Sequence, residues 1–213
     1  MVGREKLRGK QFLFSFWGKQ FETYKKHRKE RQKEEMRTES FIQNIIEQIK
    51  EVQLKLGYVK ESIRLYFPYQ SLQSLLQVEC ANAEELLERL QQEKEWTDTV
   101  LGEIHFSLKK DRFEVWIAPE GARYVHEMVA DPPFLVSLIQ LFQENHKLSI
   151  DDICACFARF SEDYVCEKME PGTDFDYVLY FKNQKPDAWY YCIRMEMGHT
   201  IYHRFMKEDY EAL

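Results

Sequence analysis

The chain has 213 residues, 44% hydrophobic and 15% aromatic, with eight glycines and six prolines, so it can bury the core of one domain and is neither a disordered nor a fibrous sequence. Its five cysteines, Cys80, Cys154, Cys156, Cys166 and Cys192, form no CxxC pair, which argues against a disulfide framework or a structural zinc knuckle and for a reducing, cytoplasmic location. No apolar run approaches the ~20 residues of a membrane helix, and the net charge of −6 is unevenly divided: residues 1–37 carry twelve Lys/Arg against five Glu, whereas 38–213 carry 18 basic against 31 acidic residues, or −13.

Residues 1–37 form a basic, aromatic appendage. Phe12, Phe14, Phe16, Trp17 and Phe21 precede a charged run from Lys25 to Arg31 that has no apolar stripe to bury. The plain reading is a solvated tail, and the sharper one is contact with an anionic membrane surface or nucleic acid. The apolar run is too brief for a signal-peptide core and lacks a small-residue cleavage site. Lys33-Glu34-Glu35 can also be encoded by a purine-rich ribosome-binding site, which makes Met36 an alternative start and residues 1–35 no part of the native protein.

The globular pattern begins at Thr38. Ser40 and Gln43 suggest a capping box, and Phe41, Ile42, Ile45, Ile46, Ile49, Val52 and Leu56 recur at helical spacing up to a stop at Gly57. Alternation predicts a strand at Ile63, Leu65 and Phe67, ended by Pro68. Helices are expected at Ser71 to Val78 and Ala83 to Trp96, the latter capped by Asn82. A hairpin follows, Ile104 to Leu108 and Phe113 to Ile117, with one apolar face. Then come helices at Pro119 to Val129, Phe134 to Asn145 and, behind a Ser149/Asp152 capping box, through Phe160. Strand patterns close the chain: a weak one at Tyr164 to Lys168, then Tyr177 to Phe181, Trp189 to Glu196 and His199 to Phe205. Helices followed by strands predict an α+β fold, a single domain with several helices packed on an antiparallel sheet and a C-terminal β-meander.

Two stretches, Leu56 to Pro68 (LGYVKESIRLYFP) and Gly198 to Phe205 (GHTIYHRF), resemble a bacterial family of the domain-of-unknown-function kind. The resemblance covers roughly residues 38–213 and implies a bacterial, cytoplasmic, single-domain protein. It assigns a role to no residue.

The densest set of reactive side chains is Cys192, Arg194, Glu196, His199 and His203. His199 and His203 have the HxxxH spacing of zinc helices, but Thr200 stands where a peptidase would place Glu, and Thr200, Ile201, Tyr202 and Phe205 favour a strand. On a strand the two histidines lie about 13 Å apart, too far for one metal. A two-residue turn at Met197-Gly198 would pair Glu196 with His199 and Cys192 with His203. All five residues would then share one face with Tyr190, Ile201 and Phe205, while Trp189, Tyr191, Ile193, Met195, Thr200, Tyr202 and Arg204 would take the other and pack on helices.

A Cys192 thiolate activated by His203 is conceivable in that register, but no orienting carboxylate or oxyanion donor accompanies it. The bland reading is a solvated polar face with an ordinary Glu196/His199 pair. Glycine-rich phosphate loops are absent, and no cofactor or metal is expected. The helix pair Phe134 to Phe160 hints at a helix-turn-helix, yet its second helix has Asp151 and Asp152 and a single Arg159, the wrong charge for phosphates. The sequence therefore favours a non-catalytic interaction or regulatory domain with a basic protein partner. A small-ligand-binding protein or enzyme using the five-residue polar face is the alternative.

Overall fold

The computed structural model describes residues 37–92, 96, 98–145 and 147–211. Residues 1–36, nearly all of the basic aromatic appendage, lie outside the described residues, as do the last residues of the expected Ala83 to Trp96 helix before Trp96.

Helix α1 occupies residues 37–56, so Ser40 is interior rather than an N-cap. Serine is only mildly unfavourable inside a helix, and the apolar stripe from Phe41 onward decides the register. The order then runs β1 (Ile63–Pro68), α2 (Tyr69–Leu76), α3 (Ala83–Gln92), β2 (Ile104–Lys109), β3 (Arg112–Ile117), α4 (Pro119–Met128), α5 (Pro133–Glu144), α6 (Ile150–Ala158), β4 (Tyr164–Lys168), β5 (Tyr177–Phe181), β6 (Tyr190–Glu196), β7 (His199–Phe205) and α7 (Lys207–Glu211). The two later cap signals are realised where they were expected. Asn82 Oδ1 accepts the Glu85 N–H at 2.8 Å, and Ser149 and Asp152 form a reciprocal box.

The α+β class and the single domain hold, but the strands are shared between two antiparallel sheets, β1-β3-β2 and β4-β5-β6-β7. Each sheet has its own core. Phe41, Ile45 and Ile49 of α1 join Leu65, Phe67, Phe106, Phe113 and Val115 in the first, while Phe134, Leu138, Phe157, Phe181 and Tyr191 dominate the second. In that second core Phe134 meets Phe157, Phe181 and Tyr191 edge-on at 4.8, 4.9 and 5.6 Å, the favoured geometry for ring quadrupoles.

Helix α1 links the two sheets. Its apolar stripe belongs to the first core, and its polar stripe faces the second sheet: Asn44 donates to Met206 Sδ, Glu47 accepts from Trp189 Nε1 at 2.6 Å, and Glu51 accepts from Tyr202 and Arg204. Glu47 and Glu51 are four residues apart and so lie on one helical face.

Candidate functional site

The closing hairpin has the register that its turn demands. Met197 and Gly198 both take positive φ, 51° and 79°, the conformation that matches a two-residue loop to the twist of its strands. Glu196 faces His199, Arg194 faces Ile201, Cys192 faces His203 and Tyr191 faces Arg204. The faces divide as the alternation predicts.

On the inner face, Tyr191 and Ile193 are fully buried, Thr200 donates to the Leu148 carbonyl at 2.8 Å, and Tyr202 packs edge-on against Phe142. Met195, nearer the turn, is exposed instead.

Arg204 is the residue that sequence reasoning passed over. Its side chain is only 4% exposed. Nη1 donates to Glu51 Oε2 at 2.7 Å, Nη2 lies 3.7 Å from Asp187 Oδ2, and the guanidinium sits 4.3 Å above the Trp189 ring and 5.6 Å from that of Tyr191. Planarity, permanent charge and weak hydration suit arginine to such a stacked, buried site. Its Nε is buried without an acceptor among the described residues.

The two carboxylates respond oppositely to this cation. Burial works to raise the Glu51 carboxyl, but Arg204 and Lys55 outweigh it and hold the group below its ordinary range. Burial raises Asp187 and prevails there, with Arg204 only partly opposing it. Distance explains the split, since Glu51 has both Arg204 and Lys55 at 2.7 Å whereas Asp187 has Arg204 at 3.7 Å.

The outer face carries the five sequence-stressed residues, and they do not converge. Cys192 is 0% exposed, and Tyr210 of α7 stacks on Tyr190 at 4.8 Å beside it, with Tyr180 on the other side at 4.4 Å. Burial pushes the Cys192 thiol up to about 11, the wrong direction for a thiolate nucleophile at neutral pH. Arg194 is joined to Glu196 at 2.7 Å along its own strand. His203 packs against Phe175 and Phe205, and His199 is exposed at the turn. Among the described residues no group of three His, Cys, Asp or Glu side chains is placed to hold a metal ion.

A cleft of about 600 Å³ opens elsewhere, between the two sheets. Edge strand β1 and helix α2 form one wall, β7 and α7 the other, and α1 contributes Gln48, Glu51, Val52 and Lys55. Of the five outer-face residues only His203 borders it. Its cations are already engaged: Lys55 pairs with Glu51 at 2.7 Å and lies 4.3 Å over the Tyr202 ring, and Arg204 is held as above. Glu208 and Asp209 of α7, at the rim, have no cationic partner among the described residues. The sequence marked His203 through the hairpin, but nothing in it marked the cleft, which is made by elements from both ends of the domain.

Two antiparallel sheets tied by one helix, with a cleft between their edges and no catalytic group assembled among the described residues, define an α+β domain built around a groove. The chain belongs to the bacterial family described as "Domain of unknown function, E. rectale Gene description (DUF3877)", whose model matches residues 38–213. No curated protein and no solved structure is significantly similar to it. Among the described residues no helix is long and apolar enough to cross a membrane.

Proposed function

We infer that the domain is a non-catalytic interaction module that takes a basic segment of a partner protein into the cleft between the sheets. The observation that carries this reading is the charge balance of the cleft. Lys55 and Arg204 are neutralised internally, so a newcomer meets the rim carboxylates Glu208 and Asp209, which have no cationic partner among the described residues, on a body whose net charge is −13. Such a surface attracts Lys and Arg and repels phosphate backbones and acidic chains. Catalysis is disfavoured by the burial of Cys192 and by the dispersal of the other reactive side chains.

The test is binding of the full chain to a library of ten-residue peptides with Lys or Arg at alternate positions and random apolar residues between, against the same library with Asp or Glu. Basic members should bind, more weakly as salt rises. Equal binding of the two libraries, or none, contradicts the reading.

A further inference from the structure

The two sheets present four edges, β1, β2, β4 and β7, and soluble proteins guard such edges because unpaired N–H and C=O groups recruit further strands. Three of the four carry guards. β1 ends in Pro68 and runs at once into α2, β2 ends in Lys109, and β4 ends in exposed Glu167 and Lys168. β7 reads HTIYHRF, and its one permanent charge, Arg204, is turned inward to Glu51. Ile201 is instead 47% exposed.

Hairpin geometry settles which backbone groups of β7 are available. The two-residue turn makes Glu196↔His199 a hydrogen-bonded pair, and antiparallel pairs alternate from there. His199, Ile201, His203 and Phe205 thus direct their backbone groups to β6, and Thr200, Tyr202 and Arg204 direct theirs to the open edge. The other side of β6 agrees with this phase, since the Ile193 carbonyl accepts from Asp176 N and Met195 N donates to Asp176 Oδ2, both away from β7. Tyr202 and Arg204 also border the cleft. No backbone hydrogen bond within the described chain uses the outward groups of Thr200, Tyr202 or Arg204.

We propose that the partner segment binds as an added β-strand along the outer edge of β7, an extended peptide bearing Lys or Arg near the α7 rim. This rests on the interaction reading above and specifies how the segment is held. Main-chain bonds to Tyr202 and Arg204 supply affinity whatever the sequence, and alternate side chains supply specificity. Charge separates this occupant from a second copy of the chain, whose domain would bring another −13 to the same rim.

The test is amide hydrogen exchange of the full chain, free and saturated with the tightest basic peptide of the library. In the free protein the Tyr202 and Arg204 amides should exchange far faster than those of Ile201 and His203, and peptide should slow them at least ten-fold. The same peptide N-methylated at alternate amides, in both phases, should lose at least ten-fold in affinity in one phase or both while keeping its charge. Binding with unchanged Tyr202 and Arg204 exchange, or with neither methylated peptide weakened, overturns strand addition and leaves the basic-partner reading standing. Absence of any binding overturns both. Slowing that appears with protein concentration alone assigns the edge to a second copy, and protection at high dilution without peptide assigns it to an occupant within the chain; either result overturns the proposal.

Discussion

Glu51 on α1 and Arg204 on β7, 153 positions apart in the chain, meet at 2.7 Å in a nearly dry contact that ties the helix of the first core to the edge strand of the second sheet. Removing one member of a buried pair leaves the other charge unpaired, which typically costs about 3–5 kcal/mol. Glu51→Gln should therefore destabilise the domain by about 3 kcal/mol in urea unfolding, because the neutral amide leaves the buried Arg204 charge with only the longer ion pair to Asp187. Asp187→Asn should cost under about 1 kcal/mol, since the amide oxygen still accepts a hydrogen bond and a disfavoured buried charge is removed.

The same pair should respond differently to pH. The Glu51 carboxyl is lowered from 4.5, so its stabilising contribution is present above 4.5 and is lost as pH falls through the lower folded value. Asp187 is raised above 3.8, so its contribution is fully present below 3.8 and is lost as pH rises through the raised value. The stability gap between wild type and Glu51→Gln should hence close on acidification, whereas Asp187→Asn should gain on wild type as pH rises above 4. Parallel pH profiles for wild type and both variants would contradict these assignments.

Cys192 should be inert in the folded protein. With the side chain sealed and its thiol pushed up to about 11, little thiolate exists at pH 8 and none is accessible. Iodoacetamide labelling followed by mass spectrometry should leave Cys192 unmodified until denaturant is added. Rapid labelling of the native protein would restore the nucleophile reading.

Two glycines should fail for different reasons. At Gly198 a Cβ has room, its nearest neighbour being Lys147 Cε at 3.8 Å, but φ of +79° is strained for alanine, and Gly198→Ala should cost about 1 kcal/mol. At Gly121 a Cβ would stand 2.4 Å from the Leu101 carbonyl oxygen and 2.6 Å from Ile117 Cγ2. Gly121→Ala must displace backbone and should cost about 1–3 kcal/mol. Thermal unfolding of the two variants would rank them.

Much of the local structure was legible in the sequence, because periodicity, caps and turns act over a few residues. Asn82, the Ser149/Asp152 box and the Met197-Gly198 turn all behave as their chemistry requires, and the turn alone sets the Cys192/His203 register. Division into two sheets was not legible, since alternation identifies strands without naming their neighbours. Nor was the burial of Cys192, which depends on α7, a five-residue helix too short to leave a periodic signal. Glu47 and Glu51 resemble an ordinary solvated helix face, and only the arrival of Trp189, Tyr202 and Arg204 from far along the chain makes them a partly buried site. The inward phase of Arg204 was visible in the alternation, and a charge at an inward-facing aromatic position was the available signal.

The most direct test of the central claim is the affinity of a basic library peptide for the full chain carrying Glu208→Gln and Asp209→Asn together. Both side chains lie at the cleft rim, in the first turn of α7, without a cationic partner among the described residues, so folding stability should change by no more than about 1 kcal/mol. Peptide affinity at low salt should fall by about ten-fold, and the salt dependence of binding should flatten. Unchanged affinity with unchanged stability would show that basic segments do not bind at this cleft.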